Sequence, residues 1–283
     1  MSLNSSSQVS PTVSQTLPLS GKTVLITRSV GQSSQFTQMI IAAGANAIEM
    51  PALEICPPSS WKALDNAIVN ISEFDWLILT SSNGINYFFE RLMALEKDVR
   101  TLANLKIAVV GEKTAQVLKN HSLKPDFIPP NFIADSLIEH FPEQLDGKKV
   151  LFPRVESGGR EDLIREFRNQ GAEVTEVAAY QSCCPGEIPP SAEFALQSGN
   201  IDVITFASSK TVKFFNQLAE QVFSELSQNN QPPVVSHYLE GVCIASIGPQ
   251  TSKACQKYFG RVDVEASEYT LEGLTQAIID WAT

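Results

Sequence analysis

Six short segments rich in small and hydroxylated residues carry most of the side chains that could do chemistry: Arg28 to Ser34, Thr80 to Gly84, Gly111 to Thr114, Arg154 to Arg160, Ala207 to Thr211 and Gly248 to Thr251. Each joins a short apolar run to an amphipathic stretch, the pattern of strand, tight turn and helix. At such a turn the first backbone N–H groups of the helix lack intrahelical partners and the helix dipole presents its positive end, so an anion can be held without many cationic side chains. In open parallel sheets these turns lie at the carboxyl ends of strands, where ligands bind. The candidate binding positions on them include Ser81, Ser82, Gly111, Gly159, Ser208, Ser209 and Gly248. Any one serine or threonine here also reads as an ordinary helix cap. Six such turns together point to a surface for a multiply charged anion.

Other chemistries find no support. The chain has no G-x-G-x-x-G after a strand, no G-x-x-x-x-G-K-[ST], no H-E-x-x-H and no G-x-S-x-G, which argues against nicotinamide, nucleotide, zinc and α/β-hydrolase chemistry. His121, His140 and His237 are scattered without ligand spacing. Cys56, Cys183, Cys184, Cys243 and Cys255 form an odd set without C-x-x-C, so a reduced, cytoplasmic chain is expected, with Cys183 and Cys184 as strand filler. Lys and Arg number 21 against 31 Asp and Glu, a net charge of -10, and no stretch gathers basic residues into a patch, which excludes nucleic acid as a partner. No apolar run approaches the roughly 18 residues of a membrane span. The first 21 residues contain no Lys, Arg, Asp or Glu, which fits neither a secretory signal nor a transit peptide, and residues 1–19 are expected to form a disordered tail.

The elements that must position these turns come in two copies. Lys22-Thr-Val-Leu-Ile-Thr-Arg28 followed by Gly44-Ala45 reappears as Lys148-Lys-Val-Leu-Phe-Pro-Arg154 followed by Gly171-Ala172, an offset of 126 to 127 residues. Asp75-Trp-Leu-Ile-Leu-Thr-Ser-Ser82 returns as Asp202-Val-Ile-Thr-Phe-Ala-Ser-Ser209 at the same offset. Ile107-Ala-Val-Val-Gly111 returns as Ile244-Ala-Ser-Ile-Gly248, now 137 positions on, and the extra residues are expected in a surface loop at Ser224 to Pro233. The apolar runs lack the alternation of half-wet strands and suit parallel strands buried on both faces. Phe36, Met39, Ile40 and Ala43 before Gly44, and Leu163, Ile164 and Phe167 before Gly171, predict helices that end on glycine. The fold class is α/β: two similar doubly wound parallel-sheet domains, an internal duplication, joined by a two-stranded β linker. At roughly 100 to 200 residues per domain, 283 residues also suggest two. The extended segments Glu49 to Pro58 and Glu176 to Pro185 both end in proline and point to the expected linker strands, 52–56 and 181–187, which makes the first domain discontinuous, 20–51 with 188–283, and the second 57–180.

Read in order, Leu25-Ile-Thr-Arg28, Asp75 to Ser82, Val110-Gly-Glu-Lys-Thr-Ala115, Val150-Leu-Phe-Pro-Arg154 with Gly159-Arg160, Gly171 to Tyr180 and Ile247-Gly-Pro-Gln-Thr251 resemble the uroporphyrinogen-III synthase family over about residues 20 to 280. The chain departs from the family pattern in its N-terminal tail and in Thr205-Phe-Ala-Ser-Ser209. The resemblance implies a lyase of heme and porphyrin biosynthesis that dehydrates hydroxymethylbilane, a carboxylate-rich linear tetrapyrrole, and cyclises it to uroporphyrinogen III with the last pyrrole inverted. It implies a substrate held in a cleft between the domains, no cofactor and no metal, and a monomer acting on this small molecule rather than on a membrane. It also implies that Tyr180 donates a proton to the leaving hydroxyl and that Thr114 and Thr251 lie near the substrate. Arg28, Arg154 and Arg160 are expected to grip substrate carboxylates, a geometry that suits the guanidinium fork. A non-catalytic two-domain protein binding a small polycarboxylate is the alternative that the same duplicated pattern leaves open.

Overall fold

The computed structural model describes residues 17–29, 33–131, 134–158, 161–226 and 233–283. In chain order the elements are β1 (Thr23–Ile26), α1 (Ser34–Ala42), β2 (Asn46–Glu49), β3 (Glu54–Cys56), α2 (Lys62–Val69), β4 (Trp76–Leu79), α3 (Ser82–Ala94), β5 (Lys106–Val109), α4 (Glu112–Asn120), α5 (Ala134–Glu139) and β6 (Lys149–Val155). They continue as α6 (Glu161–Asn169), β7 (Glu173–Cys183), α7 (Pro190–Ser198), β8 (Val203–Phe206), α8 (Ser209–Leu226), α9 (Val235–Tyr238), β9 (Cys243–Ser246), α10 (Pro249–Phe259), β10 (Val264–Glu265) and α11 (Leu271–Ala282).

The strands form two five-stranded sheets, ordered β10-β9-β8-β1-β2 and β3-β7-β6-β4-β5. Pairing is parallel from β2 through β10 in the first, and from β7 through β5 in the second. Contacts divide the chain into two units, Met1–Glu54 with Cys184–Thr283, and Ile55–Cys183. The repeated segments take equivalent places: β1 and β6, β2 and β7, β8 and β4, β9 and β5. Each unit therefore has a point where the strand order reverses, between β1 and β8 in one and between β6 and β4 in the other. Such switch points open a crevice at the carboxyl ends of the strands, where ligands bind.

The same aspartates build both sheets. Asp202 accepts a hydrogen bond from the Thr23 N–H at 2.8 Å, and Asp75 accepts one from the Lys149 N–H at 2.8 Å. Asp263 and Asp126 do the same for the Ile244 and Ile107 N–H groups, both at 2.8 Å. Each carboxylate takes up a backbone N–H at the first or second residue of a strand. Every residue of β4, β8 and β9 is buried, so each sheet carries apolar clusters on both faces. Phe206, Phe215 and Phe259 anchor one cluster with centroids 5.3 to 6.0 Å apart, and truncating such a ring to Ala costs about 3–5 kcal/mol. α1 and α6 end where glycine reaches the left-handed region, Gly44 at φ 100° and Gly171 at φ 90°.

Three local features differ from the sequence expectation. α8 runs to Leu226, so Ser224 to Leu226 are helical rather than loop, and 227–232 lie outside the described residues. β7 is one continuous strand of eleven residues, because the β-branched and small residues from Val174 to Cys183 keep an extended backbone past the point where a linker was expected to start. β6 continues to Val155 through Pro153. That proline is tolerated because the register with β4 is confined to Val150 and Leu151, so no ladder bond is demanded of its missing N–H on that side.

Candidate active site

The reversal point of the second unit gathers the hydroxyl groups. Ser81, extended at φ −151° and ψ 151°, caps α3 and accepts the Gly84 N–H at 3.0 Å. Tyr180 reaches the same serine from β7, its phenol oxygen 3.1 Å from Ser81 Oγ. A register shift sets this up: Arg154 faces Ala178 but Val155 faces Tyr180, leaving Ala179 unmatched. Bulges of this kind re-aim a side chain at the end of a strand. A Cβ at Gly84 would press on Ser81 Oγ at 3.1 Å and meet Tyr180 Cε1 at 3.8 Å, an ordinary contact. The Tyr180 ring stacks on Tyr87 of α3, with centroids 6.1 Å apart and planes 17° from parallel.

The reversal point of the first unit is built alike but holds different groups. Ser208 accepts the Thr211 N–H at 3.2 Å, as Ser81 accepts that of Gly84. Thr211 stands at the position of Gly84, and Leu53 at the position of Tyr180 in the aligned copies. Ser209 donates to the Gln250 carbonyl at 2.8 Å, tying the start of α8 to that of α10. Arg28, just past β1, is half-buried and lines a small hollow with Phe36, Thr205, Ala207, Leu271 and Leu274. Burial lowers its pKa from the usual arginine value, yet a guanidinium remains charged at neutral pH.

The remaining predicted positions are spread over both units. Gly111 precedes α4 at φ 94°, a backbone that favours glycine. Gly248 precedes α10 with extended backbone, and a Cβ on it would come within 2.8 Å of the Tyr269 ring. Thr114 and Thr251, each the third residue of its helix, are 5% and 4% exposed, so their side chains point under the helix start. Ser82 occupies the first position of α3 and is half-buried. Arg154 pairs with Glu176 at 2.7 Å and donates to the Gly158 carbonyl, while its buried Nε has no partner among the described residues. Gly159 and Arg160 lie outside the described residues. The structure thus brings Ser81, Gly84 and Tyr180 together. Sequence reasoning missed Tyr87 and Trp61, whose rings lie 6.2 Å apart; the available signal was the spacing of Gly84 and Tyr87, three apart and so on one helix face.

Among the described residues no helix is long and apolar enough to cross a membrane. Comparison with known proteins identifies the scaffold. The family model for uroporphyrinogen-III synthase HemD matches residues 34–276. The uroporphyrinogen-III synthase of Synechococcus elongatus is 52% identical over 94% of this chain and 97% of its own length. That of Chlorobaculum parvum is 27% identical over 92% of this chain and 98% of its own length. Two solved structures share the fold. The uroporphyrinogen-III synthetase of Helicobacter pylori has a TM-score of 0.57 at 17% identity, covering 92% of this chain and 99% of that one. A mutant uroporphyrinogen III synthase of Thermus thermophilus has a TM-score of 0.52 at 19% identity, covering 93% and 98%. With a family model spanning most of its length and a relative sharing half its residues, this chain belongs to the uroporphyrinogen-III synthase family.

Proposed function

We propose that the chain dehydrates and cyclises hydroxymethylbilane to uroporphyrinogen III, with Tyr180 as the proton donor. The terminal hydroxymethyl group accepts the Tyr180 proton and leaves as water, which creates an electrophilic azafulvene. The substituted α-carbon of the last pyrrole attacks that methylene to form a spirocycle. Cleavage of the original bridge to the last ring and reclosure at its free α-carbon invert that ring, and loss of a ring proton restores the pyrrole. The electron-rich pyrroles supply the driving force, so the protein's main task beyond the first proton is to hold the chain of rings in a closing conformation.

The observation that carries this reading is the 3.1 Å approach of Tyr180 Oη to Ser81 Oγ. With the Gly84 N–H occupying one lone pair of Ser81, the serine can turn its own proton toward the phenol oxygen. Tyr180 then points its O–H at the leaving group, and the phenolate it becomes is stabilised by the serine and by the positive end of α3 behind it. The helix starts at Ser82, Gly111, Ser208, Ser209 and Gly248, together with Arg28 and Gly159, bind the acetate and propionate groups. Thr114 and Thr251 support two of those helix starts from beneath, and Arg154 acts through Glu176 and the loop after β6. The protein works as a monomer in the cytoplasm on this free small molecule; its net charge of -10 supports the exclusion of nucleic acid.

Product analysis tests the proposal. The protein is incubated with freshly made hydroxymethylbilane, the products are oxidised, and the porphyrin isomers are separated. Isomer III is expected in excess; isomer I alone, the product of spontaneous closure, would remove the activity.

A further inference from the structure

The structure assigns Tyr87 as a positioning residue for Tyr180. This rests on the proposed role of Tyr180 and adds a residue to it. Tyr180 has two ring torsions, and the contact with Ser81 at 3.1 Å constrains only its tip. Its ring is held instead by Tyr87, which lies nearly parallel at 17° with centroids 6.1 Å apart, within the range of favourable aromatic pairs. Tyr87 is itself fixed at three places. Its backbone belongs to α3, one turn beyond Gly84. Its hydroxyl donates to the Ile55 carbonyl of β3 at 3.1 Å. Its outer side meets Trp61 at 6.2 Å, and Trp61 is covered in turn by the Arg91 guanidinium, 5.1 Å from the ring centroid. Arg91 is locked by a bidentate pair with Asp65 at 2.5 and 2.6 Å.

A fixed series therefore runs from Asp65 through Arg91, Trp61 and Tyr87 to Tyr180. Proton transfer is sensitive to placement on the ångström scale, and this stack limits where the phenol can swing. Without the Tyr87 ring, Tyr180 keeps its hydroxyl but loses its fixed direction.

Single-turnover and steady-state rates with hydroxymethylbilane are measured for Tyr87→Leu, Tyr87→Phe, Tyr180→Phe and the pair Tyr87→Leu with Tyr180→Phe. Tyr87→Leu is expected to lower kcat about 10-fold with KM changed less than about two-fold, and Tyr87→Phe to restore most of the loss because its ring remains. In the Tyr180→Phe background Tyr87→Leu should cost less than about two-fold more, since the residue acts through the phenol. An equal loss in both backgrounds, or an unchanged kcat for Tyr87→Leu, would overturn the assignment. A second readout needs no turnover: NMR of protein carrying tyrosines labelled at Cζ, of which there are five. The Tyr180 signal, found by its loss in Tyr180→Phe, should move in Tyr87→Leu while those of Tyr238, Tyr258 and Tyr269 stay put. A stationary Tyr180 signal overturns the assignment even if isomer III is formed, and failure of the unmodified protein to make isomer III sinks the activity independently of this signal.

Discussion

The two units are copies in their scaffold and strangers in their chemistry. Both carry an aspartate that caps the first N–H of the neighbouring strand, Asp202 for Thr23 and Asp75 for Lys149. Both cap the helix after the second repeated strand with a serine, Ser208 and Ser81. Beside that serine, however, Ile55–Cys183 places Gly84 and Tyr180 where the other unit has Thr211 and Leu53. The groups that satisfy backbone polarity, which any copy of the fold needs, are thus the same in both copies, while the residues beside the capping serine differ. The proposed reaction starts at a single terminal hydroxymethyl, so it calls for a proton donor in one unit only.

The sharpest break in the symmetry is the tyrosine. Tyr180→Phe is expected to lower the single-turnover rate about 100-fold, within the range of general acid catalysis, with Tm unchanged because ring packing is kept. A rate within a few-fold of the unmodified protein would mean that holding the substrate's conformation carries the catalysis.

The serines test the same asymmetry at smaller scale. Ser81→Ala removes the partner of the phenol and should cost about 10-fold in kcat, whereas Ser208→Ala should cost less than about three-fold. Both lose a helix cap, so both should lower stability by a similar ~1 kcal/mol, read from denaturant midpoints. Equal kinetic losses would show that the two helix starts do the same work.

The scaffold should respond symmetrically. Asp75→Ala and Asp202→Ala each leave a strand N–H without its acceptor and should each cost about 1–2 kcal/mol, measured by denaturant unfolding. A large difference between them would show that the duplicated cap has been taken over by another group in one copy.

A smaller contrast lies in the thiols. Burial pushes Cys243 and Cys255, both in the first unit, up to about 12 from 9.0. The unfolded thiols ionise first, so the stability these groups contribute is fully present below about pH 9 and is lost as pH rises toward 12. Unfolding midpoints should fall over that window, and Cys243→Ala with Cys255→Ala should flatten the slope. An unaltered slope would assign the alkaline loss to other groups.

Much of this was readable in the chain itself. The apolar runs at Trp76 to Leu79 and Val203 to Phe206, with the aspartate before each, announced paired parallel strands because burial on both faces leaves no alternation to confuse the signal. What the sequence concealed depends on distant partners. Arg154 reads as a free guanidinium until β7 brings Glu176 within 2.7 Å. Tyr180 and Ser81 are each visible as candidates, but their meeting requires strand order and a bulge at Ala179, which no local pattern encodes. Gly84 looks like a turn residue, and the tight 3.1 Å approach of its Cβ position to Ser81 Oγ appears only once the serine caps the helix.

We propose that the Ser81–Tyr180 pair in one unit performs the proton transfer while its counterpart around Ser208 only binds. Exchanging the residues that distinguish them tests it most directly, by single-turnover formation of isomer III with Gly84→Thr and Thr211→Gly. A Cβ at 84 would lie 3.1 Å from Ser81 Oγ, the partner of the Tyr180 phenol, so Gly84→Thr should slow the step by about 30-fold or more, as misplacement of a reacting group does. Thr211→Gly should leave the rate within about three-fold while costing about 1–2 kcal/mol of stability, from the loss of a buried side chain and its hydrogen bond to the Ser208 carbonyl. Equal rates for the two variants, or a greater loss in Thr211→Gly, would contradict the account.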